Sequence, residues 1–550
     1  MSTNAHAPPG ARSDTEPRPG RWLGLVALTL GVAMIIVDST VLNVAIPTIV
    51  ADLHLRFTTA QWANTIYALV FAAMLIQFGR LADRVGRRRV FIVGLFVFLL
   101  GSVLAGSATS GAMLLGARTV QGFGGAMMLP TSLSILNATF VGRDRATAFA
   151  IWGATIGGVV ALGPLLGGWA ITSLSWRWAF YVNVPIAIIA LVGVLRFVDE
   201  SRDEEWVVGR DVAGSVLLAA GLALGVFAAI EGQAYGWWSA KAPLRVLGLT
   251  WPEGWGSPVP VFGACAVALL AAWVAIERAR ARDGKVVVVD FALLRISSFR
   301  NGNIAAMIVS LGELGIIFVL PLFLQGVLGY SALNTGTLLL ALSGGAFFAA
   351  GVATPLVSRF GGRAVVVTGM ALEAVGIAAL GLVLATDVAT WKLAAILFAY
   401  GIGVGFATAQ LTNLILAEVP LRRSGQASGI QSTSRQIGSA LGTAVIGTVL
   451  SVVFLNSTTD RLERTNLPAP AQQALTATVE RSGGAALEGL HAGGATPDVA
   501  SEMDAAFVDG ARTAAFVASG FVLLGLLAAL RLPRSGRAPG HPQRSGVSAA

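Results

Sequence analysis

Five ionisable side chains stand inside long apolar runs of this 550-residue chain: Asp38, Arg118, Glu313, Glu373 and Arg435. A charge at the centre of a membrane helix costs roughly 2.5 to 3.5 kcal/mol on insertion scales, so such groups face a partner or a cavity. All four histidines (His6, His54, His491 and His541) lie outside those runs, so a proton carried at this depth rides on a carboxylate. At a rise of about 1.5 Å per residue, Asp38 is roughly 22 Å from the start of the first run and Arg118 roughly 8 Å from the start of the fourth, which travels the opposite way. In a hydrocarbon core about 30 Å thick the two depths coincide. The chemistry expected of the pair is proton binding. Burial and a neighbouring guanidinium act in opposite directions on a carboxyl's hold on its proton, and arrival of a proton or a solute tips the balance. The alternative is a permanent ion pair that only fixes helix packing. Glu313 falls about 15 Å into the ninth run, near midplane. There it either titrates and attracts a cationic solute or is satisfied by neighbouring helices.

The elements that hold these residues must be membrane helices. The chain is 55% apolar and 12% charged, with a mean hydropathy of +0.74, whereas soluble domains carry about 25% charged residues. A backbone in hydrocarbon must satisfy its own hydrogen bonds, which takes about 20 apolar residues per spanning helix. By that measure there are fourteen candidate spans. An even count puts both termini on one side, and the arginines at Arg80 to Arg89, Arg278 to Arg300 and Arg422 to Arg423 make that side the cytoplasm. The same asymmetry accounts for the net charge of +9, so no nucleic-acid partner is expected. Residues 1–21 run straight into a stretch of spanning length, and no removable signal peptide is expected. The single cysteine, Cys265, excludes a disulfide framework and a cysteine metal site and reads as a small packing residue. Two external segments are long: 232–258 is rich in tryptophan, and 455–510 is polar with a short helix expected at Ala471 to Glu480. Both read as connectors more readily than as binding elements.

An internal repeat divides the chain. The loop after span 2 reads Gly79-Arg80-Leu81-Ala82-Asp83-Arg84-Val85-Gly86-Arg87-Arg88-Arg89. In the loop after span 10, Arg359, Gly361 and Arg363 fall in register with Arg84, Gly86 and Arg88, while Ser358 stands where Asp83 does. Parallel halves of this kind enclose a solute site near midplane. The expected organisation is a cytoplasmic tail at 1–21, a six-helix bundle at 22–197, two extra spans with their loops at 198–299, a second bundle at 300–532 that carries the 455–510 loop, and a cytoplasmic tail at 533–550.

The Gly79-to-Arg89 string resembles the cytoplasmic-loop motif of the major facilitator superfamily. Asp38-Ser39-Thr40-Val41-Leu42-Asn43-Val44-Ala45-Ile46-Pro47 is similar to a signature of its fourteen-span drug:proton antiporters. Arg118-Thr119-Val120-Gln121-Gly122 resembles their basic-residue motif, Gly163-Pro164-Leu165-Leu166-Gly167-Gly168 their antiporter motif, and Trp176 to Pro185 their entry to span 6. The resemblance extends from Trp22 to Leu532. It implies the major facilitator fold, two six-helix bundles plus two extra helices in an all-α membrane protein. It further implies that Asp83, Arg84, Gly86, Arg87 and Arg88, with Gly79, form a cytoplasmic gate in which Arg87 reaches Asp144 and helix-terminus contacts latch the gate shut. Topology alone would also explain the arginines, but not Asp83. The block Gly163, Pro164, Gly167 and Gly168 implies close helix approach between the halves; Val159 departs from the motif, which has glycine there. In this superfamily the helix of Glu373 is commonly peripheral, so a structural role is expected for it. Trp62, Tyr67 and Phe123 either line the cavity and contact planar or cationic solutes or pack against lipid.

Together these readings point to a proton-driven exporter of small amphipathic or cationic compounds in the cell membrane, working as a monomer by alternating access. No cofactor is expected, and no nucleotide-binding loop occurs, so the proton gradient supplies the energy. An exporter of an endogenous lipid, siderophore or secondary metabolite would use the same fold. A membrane enzyme or sensor is disfavoured, since no span clusters His, Cys or paired acids.

Overall fold

Apolar runs of this length have one way to pair every backbone group in hydrocarbon, and the chain takes it. The structure, a computed structural model, describes residues 20–55, 57–159, 163, 165, 169, 174–202, 211–240, 244–246, 249–251, 255–465, 467–482 and 496–532. The helices are α1 (Arg21–Asp52), α2 (Phe57–Val85), α3 (Arg87–Gly106), α4 (Gly111–Thr139), α5 (Gly142–Val159) and α6 (Asn183–Phe197), the last entered through a helical turn at Trp178–Tyr181. Next come α7 (Val212–Tyr235) and α8 (Val259–Arg282), joined by a loop that holds a two-residue antiparallel pairing of β1 (Arg245–Val246) with β2 (Leu249–Thr250). The rest are α9 (Ser297–Gly326), α10 (Ala332–Phe360), α11 (Gly362–Val383), α12 (Thr390–Ala417), α13 (Ser424–Leu462) and α14 (Pro497–Ala529), with a surface helix at Ala469–Ser482 between the last two.

Twelve of the described helices are long and apolar enough to cross a membrane. The two expected spans outside that set are α4 and α5. The 29 residues of α4 include Arg118, Gln121, Ser132 and Asn137, all buried against neighbouring helices rather than turned to lipid. The first turn of α5 carries Arg143, Asp144 and Arg145.

Local chemistry sets the ends. Ser110, Ser331 and Asp211 cap α4, α10 and α7 by accepting from Met113, Asn334 and Gly214 backbone N–H groups. Gly86 (φ 121°) and Gly361 (φ 83°) turn α2 into α3 and α10 into α11. The two repeat loops thus share the left-handed backbone geometry that favours glycine.

The two halves meet along α2 with α13, α4 with α13, and α5 with α10 and α12. One apolar core, around Phe71, Leu75, Phe149, Phe299, Leu411 and Ala427, is shared by both halves at the end that bears the arginine loops. Toward the opposite end each half has its own core: Leu42, Ala63, Leu114 and Phe180 in the first, Ile316, Ile377, Tyr400 and Phe507 in the second. Of the two extra helices, α7 packs on both α2 and α13, and α8 packs on α7. Cys265 is exposed on α8.

Candidate functional site

Asp38 on α1 is 1% exposed, and Arg118 on α4 is fully buried. Their side chains form an ion pair between Arg118 Nη1 and Asp38 Oδ2. Gln121, one helical turn after Arg118, donates from Nε2 to Asp38 Oδ1 at 2.8 Å and accepts from Arg118 Nη1 at 2.8 Å. Asn183 at the start of α6 donates to Asp38 Oδ1 at 3.1 Å. Ser102 on α3 accepts from both amides, at 2.8 Å from Gln121 and 3.1 Å from Asn183. Arg118 Nε donates to the Ala63 carbonyl of α2 at 3.1 Å, and its guanidinium carbon lies 4.2 Å from the Tyr67 ring centroid. Five helices, α1, α2, α3, α4 and α6, therefore converge on this one ion pair and its partners. A buried charge pair is costly unless its remaining donors and acceptors are occupied. The amides engage Asp38 Oδ1 and Arg118 Nη1, while Arg118 Nη2 has no hydrogen-bond partner among the described residues. Of these partners, Gln121 and Asn183 sit in the strings that carry the family resemblance. Ser102, a lone serine in an apolar helix, gives no sequence signal.

The second half has a looser counterpart. Glu313 on α9 pairs with Arg435 on α13 at 3.3 Å, with side chains 7% and 16% exposed. Arg435 also donates to Thr408 Oγ1 at 3.4 Å, and the Tyr400 hydroxyl donates to the Glu313 backbone carbonyl at 3.4 Å. Glu373 on α11 is fully buried, and neither of its carboxylate oxygens has a hydrogen-bond partner among the described residues. Its carboxyl therefore pins no neighbouring helix by hydrogen bonding among the described residues.

The loop motif joins the halves. Asp83, the last acid of α2, accepts from the backbone N–H groups of Gly425 at 2.7 Å and Gln426 at 2.8 Å, capping the first turn of α13 where the helix dipole is positive. Gly79 and Gly425 face each other so closely that a Cβ on either would strike the other's carbonyl. Arg87 Nη2 bonds Asp83 at 2.9 Å and also donates to the Leu421 carbonyl. Around this contact, Asn137 donates to Ser424 at 2.9 Å, and the Thr147 and Thr354 hydroxyls meet at 2.6 Å.

Several expectations are corrected. Arg87 does not reach Asp144, because α3 begins immediately after Gly86 and sets Arg87 one turn from Asp83; Asp144 pairs with Arg21 at the start of α1 instead. Arg84 is half-buried in the last turn of α2. Arg88 donates to the Leu195 carbonyl at 2.6 Å, while Glu200 accepts from the backbone N–H groups of Arg88 and Arg89 at 3.1 Å and so caps α3. Nothing in the sequence marked Glu200 for this. Gly163 packs on Thr40 of α1, within the same half; the close approach of α5 to the other half is at Gly153, where a Cβ would lie 2.7 Å from Ala409 Cβ. Pro164, Gly167 and Gly168 lie outside the described residues. Ser358 donates to Pro355 in its own helix. Tyr67 stacks on Phe71 beneath Arg118, and Phe123 sits edge-on to Phe78. Trp62 stacks on Phe227 of α7.

Comparison with known proteins agrees with this architecture. The chain is 30% identical to the tetracenomycin C resistance and export protein of Streptomyces glaucescens, over 96% of this chain and 95% of that one. It is 31% identical to the multidrug resistance protein Stp of Mycobacterium tuberculosis, over 92% and 91%. Its fold is similar to that of the human organic anion transporter MFSD10, with a TM-score of 0.58 at 13% identity over 93% of this chain and all of that one. The family model described as Major Facilitator Superfamily matches residues 28–443. The chain belongs to that superfamily and is a multi-span membrane transporter of small molecules, not an enzyme.

Proposed function

We propose that this chain is a proton-coupled antiporter that exports small amphipathic drugs or antibiotics across the cytoplasmic membrane by alternating access. In this reading there are fourteen spans, and the arginine-loop end and both termini face the cytoplasm. The bundles are 22–197 and 300–532, with 198–299 carrying the extra pair, and the working unit is a monomer.

The observation that carries the proposal is the Asp38 site. A carboxylate closed off from solvent is paired there to one arginine and held by two amides, and the proposed cycle alternates between this paired arrangement and one in which the pair is released. Protonation from the outer side removes the attraction to Arg118, and the freed guanidinium reorganises α1 against α4. The joined end is the latch. Asp83 and Arg87 hold α2 to α13 while the opposite ends, with their separate cores, stand ready to release solute. Opening toward the cytoplasm breaks the cap on α13, and a new solute enters as the proton leaves. An inward charge is worth about 2.3 kcal/mol per 100 mV, which makes the cycle directional.

The names of the relatives support drug export, and they leave cargo breadth divided: one is named for a single antibiotic, the other for many drugs. The first name favours a second reading, an exporter of one secondary metabolite. Efflux of ethidium from proteoliposomes under an imposed pH gradient tests the main reading. Transport should vanish when the gradient is collapsed and fail in Asp38→Asn. Gradient-independent transport would refute the coupling, and transport of one compound from a diverse panel would select the narrower cargo.

A further inference from the structure

The two extra helices have no part in the cycle described above, yet α7 carries a buried acid. Glu231 is 7% exposed, four residues or about 6 Å from the outer end of the helix. Phe227, Glu231 and Tyr235 recur every fourth residue and share one face of α7. Opposite them α2 presents Trp62, Thr65 and Leu69. Thr65 Oγ1 donates to Glu231 Oε1 at 2.7 Å, Trp62 Nε1 donates to the Tyr235 hydroxyl at 3.1 Å, and the Trp62 and Phe227 rings stack 5.7 Å apart. Trp251 and Phe262 close the cluster above, and Trp237 donates to Thr448 of α13 at 3.4 Å.

This face of α2 is distinct from the one that serves Arg118. Ala63 and Tyr67 lie about 200° around the helix from Thr65, so α2 stands between two carboxylate sites. The sites differ in what they lack. Asp38 has its arginine, whereas Glu231 forms no ion pair with Lys, Arg or His among the described residues and is met by a hydroxyl. A carboxylate at membrane depth is costly without a counter-charge, and aromatic faces attract cations most strongly where water is excluded.

We propose that Glu231, with Trp62, Phe227 and Tyr235, forms a binding site for a lipophilic organic cation at the α2–α7 seam, apart from the site between the halves. The bound cation supplies the missing charge and displaces the Thr65 hydroxyl. Its use as a way-station for cationic cargo rests on the exporter reading; the binding itself does not.

Equilibrium binding of radiolabelled tetraphenylphosphonium to purified protein in lipid nanodiscs tests this. Glu231→Gln should weaken binding by about tenfold, while Glu231→Asp, which keeps the charge, should stay within about threefold of wild type. Unchanged binding in Glu231→Gln, equal loss in both variants, or no saturable binding by wild type overturns the proposal. If Glu231→Gln is not monodisperse, Thr65→Val and Phe227→Leu decide. Removing the competing hydroxyl should tighten binding and removing the ring should weaken it, and a pair of null effects overturns the site. Absence of pH-driven efflux in wild-type proteoliposomes would sink the exporter reading while leaving these binding results as they stand.

Discussion

The two halves repeat a plan and differ in how tightly they execute it. In the first, Asp38 and Arg118 are sealed and their amide partners are all in place; in the second, Glu313 and Arg435 are longer apart and less fully buried. The same inequality recurs at the repeat loops. Asp83 caps a helix of the other half, while Ser358 at the matching position bonds only its own helix. Glu313 is itself buried and only Arg435 is partly exposed, so the second pair is looser than the first rather than open to solvent. Under the proposed antiport cycle, the first half is the switch and the second the surface that is tuned.

The comparison breaks or sharpens in order of expected effect. Asp38→Asn should lower pH-driven transport by at least about a hundredfold, the scale of breaking one partner of a buried pair, about 3 to 5 kcal/mol. Glu313→Gln should cost only about two- to fivefold, mostly in apparent affinity for cations. Equal losses in the two variants, measured in the same proteoliposomes, would erase the distinction between switch and tuned surface. Gly79→Val comes next. A side chain there meets the Gly425 carbonyl, so the latch should fail to close, with transport reduced about tenfold and expression retained. Accessibility of a cysteine placed at Ser424 should rise in that variant. Asp83→Asn should lower transport about fivefold through loss of the charged cap, and Ser358→Ala less than about twofold. Comparable effects at Asp83 and Ser358 would restore symmetry to the loops.

The smallest effect concerns the outer rim of the first half. Asp52 accepts from Trp176 Nε1 at 3.0 Å and from Arg177 Nη1 at 2.8 Å, and these bonds hold its carboxyl below the ordinary value of 3.8. A depressed acid contributes stability that is present above its ordinary value and fades as pH falls through the lowered one. Asp52→Asn should lower Tm slightly at neutral pH, and the gap to wild type should close below pH 3.8. A gap that persists in acid would assign the tie to packing alone.

Asp38 and Arg118 were legible because a charge in an apolar run has few places to go, and helix rise alone matches their depths. Asp83 was legible as more than a topology signal because no topological rule needs an acid among those arginines. What stayed hidden was direction around the helix axis. Trp62 is five residues from Tyr67 in sequence, yet the two serve opposite faces of α2, and periodicity cannot orient a helix that is apolar on every side. The reach of Arg87 to Asp144 is what the family resemblance implies, and the turn at Gly86 instead sets Arg87 beside Asp83. Ser102 and Glu200 carry no pattern, since one hydroxyl in α3 and one of several acids after α6 acquire meaning only when distant helices are brought beside them.

The position of Cys265 has a practical consequence. It is the chain's one thiol, exposed on α8, the helix that hangs from α7 beside the seam. Six residues into an apolar spanning helix, that thiol faces lipid rather than water and is a poor target for a charged maleimide, so a cysteine added at Ala281, exposed in the last turn of α8, takes such a dye at a single defined point. Paired with an acceptor introduced on either half, that dye measures by energy transfer which half the accessory helices follow as the molecule turns over.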